Sequence, residues 1–205
     1  MMKRMRTAIL ISGRGSNMAS LLDAERQPDF PAEIALVLSN RPDAAGIEKA
    51  ARAGIETRIV DHRAFSGREA FEEAMDAVLR EAGIELVCLA GFMRVLTPGF
   101  VARWEGRMLN IHPSLLPLFK GTHTHRQALE AGVRVHGCTV HFVVPELDSG
   151  PIIAQACVPV EPGDTEADLA ARVLVEEHRI YPQALADVAS GRAVLRDGRC
   201  HFGTG

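Results

Sequence analysis

The segment NIHPSLLP (residues 110–117) places two side chains that can do chemistry at the end of a strand-like run. Asn110 and His112 are separated by one residue, so in a strand both side chains point to the same face. Pro113 biases His112 towards an extended conformation and interrupts strand pairing. An amide donor beside a histidine suits the oxyanion that forms when a carbonyl carbon becomes tetrahedral, and the histidine can also move a proton. The alternative is a capped strand with a structural, hydrogen-bonded histidine.

Asp148 is the candidate for a third member of this group. It lies in ELDSG (residues 146–150), a short loop between two strand-like runs. A carboxylate near His112 would favour the imidazolium, which is the better oxyanion partner and proton donor. The alternative is that Asp148 only forms a local turn with the residues after it. We find no G-x-S-x-G elbow, and Ser114 lacks a recognisable activating setting, so direct transfer to an incoming amine fits better than a covalent intermediate.

The glycine-rich loop SGRGSN (residues 12–17) follows a strand-like run and opens a helical one. At such a position, free backbone N–H groups and the helix dipole meet a phosphate. Met18 stands where a dinucleotide fingerprint has its third glycine, no acidic residue ends the second strand, and no Walker lysine follows, so NAD and ATP are not expected. The loop has the size to bind a single phosphate group, and Ser16 and Asn17 lie at its end, where the helix begins. The alternative is a tight turn in which Ser16 or Asn17 caps the helix.

Strand and helix patterns alternate through the first hundred residues. The predicted strands are TAILIS (7–12), EIALVLS (33–39), IETRIV (55–60) and IELVCLAG (84–91), and the predicted helices cover about 17–26, 44–54 and 67–82. This alternation predicts a parallel sheet whose strands end along one edge, where ligands bind. We expect the polar or glycine-rich strand ends Ser12–Asn17, Ser39–Arg41 and Gly91–Arg94 to gather at that edge.

Beyond residue 105 the pattern favours a different arrangement. Predicted strands lie at 107–111, 135–144 and 151–160, with a helix at 124–132 and a long helix at 165–190 that Pro182 bends or breaks. The connection between the last two strands is short enough for an antiparallel pair. The prediction is therefore an α/β fold: one domain over 1–205, with a mostly parallel twisted sheet flanked by helices and an antiparallel C-terminal portion.

Composition narrows the classes of function. The chain has 205 residues, 47% hydrophobic and 24% charged, with a formal net charge of −3, which argues against a nucleic-acid partner bound through its phosphates. No apolar run approaches a membrane span, and the N-terminal apolar stretch is too short for a signal peptide. The four cysteines form no C-x-x-C pair and are expected to be buried or idle thiols in a cytoplasmic protein. The histidines of THTHR (122–126) lack further ligands, so no metal is expected.

Four motifs, GRGSN, LAGFMRVL, NIHPSLLP and ELDSGPI, in this order and spacing, resemble the phosphoribosylglycinamide formyltransferase family within the folate-dependent formyltransferase superfamily. The resemblance extends from Ile9 to about Pro182. It implies a Rossmann-like fold and transfer of a formyl group from the co-substrate 10-formyltetrahydrofolate to a glycinamide ribonucleotide in purine biosynthesis. It also implies small-molecule substrates, no metal, and a monomer or homodimer.

The resemblance assigns roles residue by residue. The catalytic positions are Asn110, His112 and Asp148; the ribonucleotide positions are Gly15, Ser16, Asn17 and Glu177; the folate positions are Arg68, Met93, Arg94, Val95, Leu96 and again Asn110. The nucleotide half would cover about 1–105, and the folate-binding and catalytic half about 106–190. Arg14, Ser149 and the loop LFKG (118–121) depart from the usual family pattern, which affects expectations of affinity and not of the reaction.

Three other functions compete with this one. A formyltetrahydrofolate hydrolase shares the catalytic trio and usually carries an N-terminal regulatory domain, whereas here the first strand begins by residue 7. A methionyl-tRNA formyltransferase would add a basic C-terminal domain, and only some twenty residues follow Pro182. A non-catalytic nucleotide- or folate-binding module would not need Asn110, His112 and Asp148.

Overall fold

The computed structural model describes residues 3–203, and a seven-stranded sheet runs through it. The strands are β1 (Met5–Ile11), β2 (Ala32–Ser39), β3 (Glu56–Ile59), β4 (Leu86–Leu89), β5 (Met108–His112), β6 (Val135–Phe142) and β7 (Ile152–Pro159). Their order is β3-β2-β1-β4-β5-β6-β7. The first five strands in this order pair in parallel. Strand β6 pairs antiparallel with both of its neighbours, β5 and β7. The predicted fold class is confirmed.

Six α-helices accompany the sheet within the described residues. They are α1 (Ser16–Glu25), α2 (Ala45–Arg52), α3 (Arg68–Glu81), α4 (Pro98–Arg103), α5 (Thr124–Glu130) and α6 (Glu166–Ala189), with a 3-10 turn at His62–Ala64. Neither α4 nor the 3-10 turn is predicted by the sequence pattern, because both are too short to show a helical period. No helix between residues 3 and 203 is both long and apolar enough to cross a membrane.

Pro182 was predicted to bend or break the last helix. The break is wrong, because α6 continues through Pro182 as one helix of 24 residues, and the bend stays a prediction. The helix begins with a capping box between Thr165 and Asp168. On either side of Pro182, the side chains of Tyr181 and Leu185 are fully buried against the sheet. Burial of this face offsets the backbone hydrogen bond that a proline removes from a helix.

Both faces of the sheet are covered, as the continuous apolar run of β1 predicted. Ile9 and Ile11 belong to the core that includes α1 and α6 residues, whereas Ala8 and Leu10 belong to the core that includes α3 and α4 residues. The Tyr181 hydroxyl crosses the first core and donates to the Leu89 carbonyl oxygen at 2.9 Å. The strands that carry the candidate site are therefore held from both sides.

The C-terminal segment, for which the sequence offered no interpretation, forms a β-hairpin. Its strands are β8 (Ala193–Arg196) and β9 (Arg199–Phe202), joined by Asp197 and Gly198, both of which have positive φ. An Asp-Gly pair is a typical sequence signal for such a two-residue turn, and sequence analysis overlooked it. The last two residues of the segment, Thr204 and Gly205, lie outside the described residues.

Candidate active site

The strand ends that were expected to meet do line one cleft at the edge of the sheet. A cavity of about 260 Å³ lies there, lined by Ser12, Gly13, Asn40, Arg41, His62, Gly91, Met93 and Arg94. Ser12 ties two of the strand ends together, since its hydroxyl donates to Asn40 Oδ1 at 2.6 Å and accepts from the Met93 backbone N–H at 2.8 Å. The gathering predicted from strand–helix alternation is confirmed.

The glycine loop is shaped by close approach of backbone to backbone. Gly15 has φ of +67°, and a Cβ there would lie 3.0 Å from Met18 Cε and 3.2 Å from Gly46 Cα. Gly46, at the start of α2, donates its N–H to the Gly13 carbonyl oxygen at 3.0 Å. A Cβ on Gly46 would lie 2.5 Å from Ile11 Cδ1. A side chain at either position would force the loop, α2 or the Ile11 side chain to shift, and at Gly15 it would also be strained by the positive φ.

The start of α1 leaves its backbone N–H groups available to a ligand. The N-cap residue is Gly15, and no side chain caps the helix. The alternative in which Ser16 or Asn17 serves as the N-cap is therefore wrong. Uncapped N–H groups at a helix N-terminus, together with the helix dipole, favour an anion.

Asn17 and Glu177 are brought together although 160 residues separate them, with Asn17 Nδ2 donating to Glu177 Oε2 at 2.6 Å. Both side chains are buried. Burial raises the pKa of the Glu177 carboxyl, and the hydrogen bond from Asn17 acts in the opposite direction. Asn17 Oδ1 has no partner within the described residues and remains available as an acceptor.

Asn110 and His112 lie on one face of β5, as predicted, while Leu109 and Ile111, which alternate with them, point into the core on the other face. Antiparallel pairing places Asn110 opposite His141 of β6. His141 Nδ1 lies 2.9 Å from the Phe142 carbonyl oxygen, so we assign the proton to Nδ1, and Nε2 can accept from Asn110 Nδ2 at 3.2 Å. The neutral ring of His141 thereby fixes which end of the Asn110 amide faces it.

His141 was not singled out from the sequence, although it holds the Asn110 amide. Burial lowers the pKa of its imidazole, against smaller raising effects of the Phe142 carbonyl and the Asp148 carboxylate. The ring is thus a neutral acceptor near pH 7. The alternation of Thr139 and His141 in a predicted strand could have flagged it, but only the register with β5 reveals its partner.

His112 lies between two oxygen acceptors. Its Nε2 lies 2.9 Å from the Phe119 carbonyl oxygen, and its Nδ1 lies 3.5 Å from Asp148 Oδ2. Both His112 and Asp148 are buried. The structure therefore brings together the imidazole and the carboxylate that the sequence predicted to act jointly.

Asp148 is held from outside its own loop. Its Oδ2 accepts the Gly121 backbone N–H at 2.8 Å, so the alternative of a carboxylate that only stabilises a local turn is wrong. The residue itself has φ of +49°. A Cβ on Gly150 would lie 1.6 Å from the Phe142 carbonyl oxygen, which makes glycine necessary there. The loop is thus pressed against the end of β6 and aims the carboxylate at His112.

The predicted folate-binding residues differ in how far their side chains are exposed to solvent. Met93 and Val95 are 67% and 57% exposed and present apolar surface beside the cleft, and Arg94 lines the cavity. Leu96 is buried in the α3–α4 core, so its side chain is not part of the cleft surface. Arg68 begins α3 and makes no ion pair or hydrogen bond to the Asn110–His112–Asp148 group among residues 3–203.

Apart from His141, the other histidines and the cysteines make no hydrogen bond to Asn110, His112 or Asp148 among residues 3–203, although His125 and His136 lie near His112. His125 and His136 pack edge to face with ring centroids 5.3 Å apart, while His123, the neighbour of His125 in THTHR, is exposed at the N-cap of α5. Cys88 and Cys138 are buried, and burial raises their pKa to about 12. Cys157, which the sequence placed in an apolar strand, is exposed because its side chain points away from the core on β7.

Residues 5–185 match the formyl transferase family, which covers the glycine loop, the Asn110 group and most of α6. The chain belongs to the formyl transferase family. Its relatives include phosphoribosylglycinamide formyltransferase of Escherichia coli (strain K12), 47% identical over 193 residues, which are 94% of this chain and 91% of that protein. This confirms the family resemblance read from the four motifs.

Solved structures and longer relatives agree with that placement. Glycinamide ribonucleotide transformylase 1 from Symbiobacterium toebii superposes with a TM-score of 0.94 at 48% identity, over 97% of this chain and 94% of that one. The trifunctional purine biosynthetic protein adenosine-3 of Homo sapiens is 54% identical over 193 residues. This formyl transferase chain is matched over 94% of its own length but spans only 19% of that trifunctional protein.

Proposed function

We propose that this chain transfers the formyl group of 10-formyltetrahydrofolate to the amino group of N1-(5-phospho-D-ribosyl)glycinamide, a step of de novo purine biosynthesis. The observation that supports the proposal best is the convergence of Asn110, His112 and Asp148 within the cleft of a formyl transferase fold. The names of the E. coli and Symbiobacterium relatives support the choice of acceptor.

The ribonucleotide phosphate binds the backbone N–H groups of Gly15, Ser16 and Asn17 at the start of α1. Glu177, held by Asn17, faces the polar groups of the same substrate. This end of the site recognises the substrate through backbone geometry and one buried carboxyl group. We propose that the sequence 1–205 acts as one catalytic domain, with nucleotide recognition mainly in 1–105 and transfer mainly in 106–190.

The transfer itself is direct and passes through a tetrahedral intermediate. The neutral substrate amine attacks the formyl carbon, and its C=O bond becomes a single bond to an oxyanion. The Asn110 amide, held on one side by His141, donates its second N–H to that oxyanion, and His112 donates from its ring as imidazolium. The proton lost by the attacking nitrogen moves to N10 of the folate as the carbon–N10 bond breaks.

Asp148 keeps His112 competent for this step. Its carboxylate faces Nδ1 of the ring, which leaves Nε2 to donate. In this structure Nε2 faces the Phe119 carbonyl oxygen, and we propose that the formyl oxygen takes that place when the donor binds. A preorganised donor in a buried site stabilises developing charge more strongly than the same donor in water.

One assay tests the proposal. The chain is mixed with 10-formyltetrahydrofolate, with and without the glycinamide ribonucleotide, and loss of the formyl donor is followed by absorbance. Loss that requires the ribonucleotide and yields one formylated product per donor consumed supports the transferase. Equal loss without the ribonucleotide, with formate released, assigns the chain to the hydrolases and overturns the proposal. An Asp148→Asn sample serves as the control for uncatalysed breakdown of the donor.

A further inference from the structure

The segment 92–96, between β4 and α4, has no regular secondary structure and carries most of the proposed folate positions. Its first half is tied to the sheet by the Met93 backbone N–H, which donates to the Ser12 hydroxyl at 2.8 Å. Residues 94–96 make no backbone–backbone hydrogen bond to any residue among 3–203. The path of this segment therefore depends on what holds its far end.

Glu72 of α3 holds that far end. One of its carboxyl oxygens accepts the Thr97 backbone N–H at 2.8 Å, and the other accepts the Thr97 hydroxyl. The Thr97 hydroxyl oxygen in turn accepts the Phe100 backbone N–H at 3.3 Å, which makes Thr97 the N-cap of α4. Glu72 and Thr97 are both buried. A buried, fully bonded polar network of this kind is rigid, so it fixes both the start of α4 and the end of the segment before it.

The place of Glu72 on α3 connects it to the remaining folate position as well. Arg68 precedes Glu72 by four residues in the helix, so the two side chains lie on the same face, one turn apart. Phe71, the neighbour of Glu72, packs in the same apolar core as Leu96. Glu72 thus joins the two pieces of chain that carry the proposed folate positions, the first turn of α3 and the segment 92–96.

A second buried acid on the same face of α3 provides a contrast. Asp76 lies one turn further along the helix than Glu72 and is also buried. It contacts the other end of α4, where Trp104 Nε1 donates to it at 3.0 Å and Arg103 Nη1 lies 3.4 Å away. Helix α3 therefore holds α4 at both ends, and only the contact made by Glu72 adjoins the folate positions.

We propose that Glu72 is a positioning residue for the formyl donor, because through Thr97 it sets the distance between Arg68 and the segment 92–96. The proposal rests on the proposed function, since it takes the donor to be the ligand of these positions. A binding surface that is already formed loses less free energy to ordering when its ligand binds. Without the two hydrogen bonds to Glu72, the donor would have to order the segment itself. Donor binding would weaken, while ribonucleotide binding at the start of α1 would not.

The test compares Glu72→Leu with Asp76→Leu, which each replace a buried acid on α3 by an apolar side chain. Dissociation constants for tetrahydrofolate and for the ribonucleotide are measured by calorimetry, and KM and kcat are measured with the other substrate saturating. In Glu72→Leu the folate dissociation constant and KM should rise about tenfold, the factor for loss of one well-placed hydrogen bond. The value of kcat should stay close to that of the parent, because the Asn110–His112–Asp148 group lies on other elements. In Asp76→Leu the melting temperature should also fall, but the folate constants should stay close to those of the parent.

A second pair of variants decides the matter if Glu72→Leu does not fold. Thr97→Val removes the hydroxyl bond to Glu72 and keeps the backbone bond, so the folate dissociation constant should rise about threefold, a value at the low end for one hydrogen bond. Thr97→Ser restores the hydroxyl and should recover the affinity of the parent.

Unchanged folate affinity in a folded Glu72→Leu chain overturns the positioning role, as do equal folate affinities in Thr97→Val and Thr97→Ser. A matching loss in Asp76→Leu, or an equal rise in the dissociation constant for the ribonucleotide, also overturns it, because either would mean a general loosening of the fold. The proposed function fails separately. A parent chain that binds tetrahydrofolate but transfers no formyl group refutes the transferase, and calorimetry still decides the role of Glu72. A parent chain that binds no tetrahydrofolate refutes both.

Discussion

The two ends of the site are built in different ways. At the proposed phosphate end, Gly15 and Gly46 allow backbone to approach backbone, and the backbone N–H groups proposed to bind the phosphate come from neighbours in sequence. At the proposed transfer end, Asn110 contacts the His141 side chain of β6, while His112 contacts the Asp148 side chain and the Phe119 backbone carbonyl from two loops. A change at the phosphate end therefore disturbs shape, whereas a change at the transfer end removes a charge or a donor from a shape that persists.

Acidity should distinguish the ends as well. The transfer end includes or adjoins buried histidines, among them His136 and His141, whose pKa values are lowered by burial. The phosphate end has the buried Glu177, whose pKa is raised by burial. In acid, protonation of the histidines adds positive charge at the transfer end and lowers the free energy of unfolding. Protonation of Glu177 removes a negative charge at the phosphate end and has the opposite effect on the free energy of unfolding.

The largest expected effect is on turnover in Asp148→Asn. The amide cannot stabilise a charged His112 ring, so kcat should fall by roughly 10²–10⁴-fold, the range for loss of proton-transfer catalysis. KM for both substrates should change little, because the phosphate end is untouched. Steady-state kinetics over pH 5–9 checks this, with Ser149→Ala as the neighbouring control. An unchanged kcat or an unchanged pH profile would refute the coupling of Asp148 to His112.

The second prediction concerns stability in acid. The His136 side chain is buried, and burial, mainly, lowers its pKa to about 4 from 6.5. As pH falls, His136 is protonated in the unfolded chain before it is protonated in the folded chain. The contribution of His136 to the free energy of unfolding should therefore fall by up to about 3 kcal/mol between pH 6.5 and about 4, and should stay constant above pH 6.5. Urea unfolding at several pH values measures the slope.

The control for that slope is a histidine replacement on the surface. His136→Phe should flatten the dependence, since it keeps the edge-to-face contact with Phe119 and removes the titrating group. His201→Phe, on the exposed side of β9, should leave the slope as it is in the parent. A parent curve that is flat between pH 6.5 and 4 contradicts the assignment of His136.

A smaller effect is expected in His141→Phe. Asn110 would lose the acceptor that orients its amide, so kcat should fall about tenfold, less than the roughly 10²–10³-fold loss expected when an oxyanion donor is deleted in Asn110→Ala. His141→Gln restores a side-chain acceptor and should recover part of the loss. Rapid-quench measurement of the transfer step checks this order. If Phe and Gln variants were equally slow, the orienting role of His141 would be wrong.

The smallest expected effect sharpens the comparison at the phosphate end. Gly15→Ala and Gly54→Ala both force alanine into positive φ, +67° and +79°, at a cost of about 1–2 kcal/mol each in the free energy of unfolding. Only at Gly15 does the new Cβ also meet neighbours, whereas nothing lies within 4 Å at Gly54. KM for the ribonucleotide should therefore rise several-fold in Gly15→Ala alone. A matching rise in Gly54→Ala would mean that general loss of stability, and not loop shape, controls binding.

Prediction from the sequence succeeded where the signal was local. All seven strands of the main sheet lie within a few residues of their predicted positions, because short strand-like runs bounded by turn residues are a local signal. It failed on the break at Pro182, where burial of α6 outweighs a local preference, and at α4, which is too short to show a period. At the candidate site it missed His141, whose importance depends on a strand pairing that no local pattern encodes.

The sequence by itself determined that Asn110 and His112 share a strand face, and that a glycine loop precedes a helix after the first strand. Only the tertiary structure decided that Glu177 meets Asn17, that Asp148 meets His112 and that His141 meets Asn110. Side-chain alternation along a strand is a property of the backbone and is present in any fold. Contacts between distant side chains depend on strand order and register, which are fixed only when the whole chain buries its apolar faces at once.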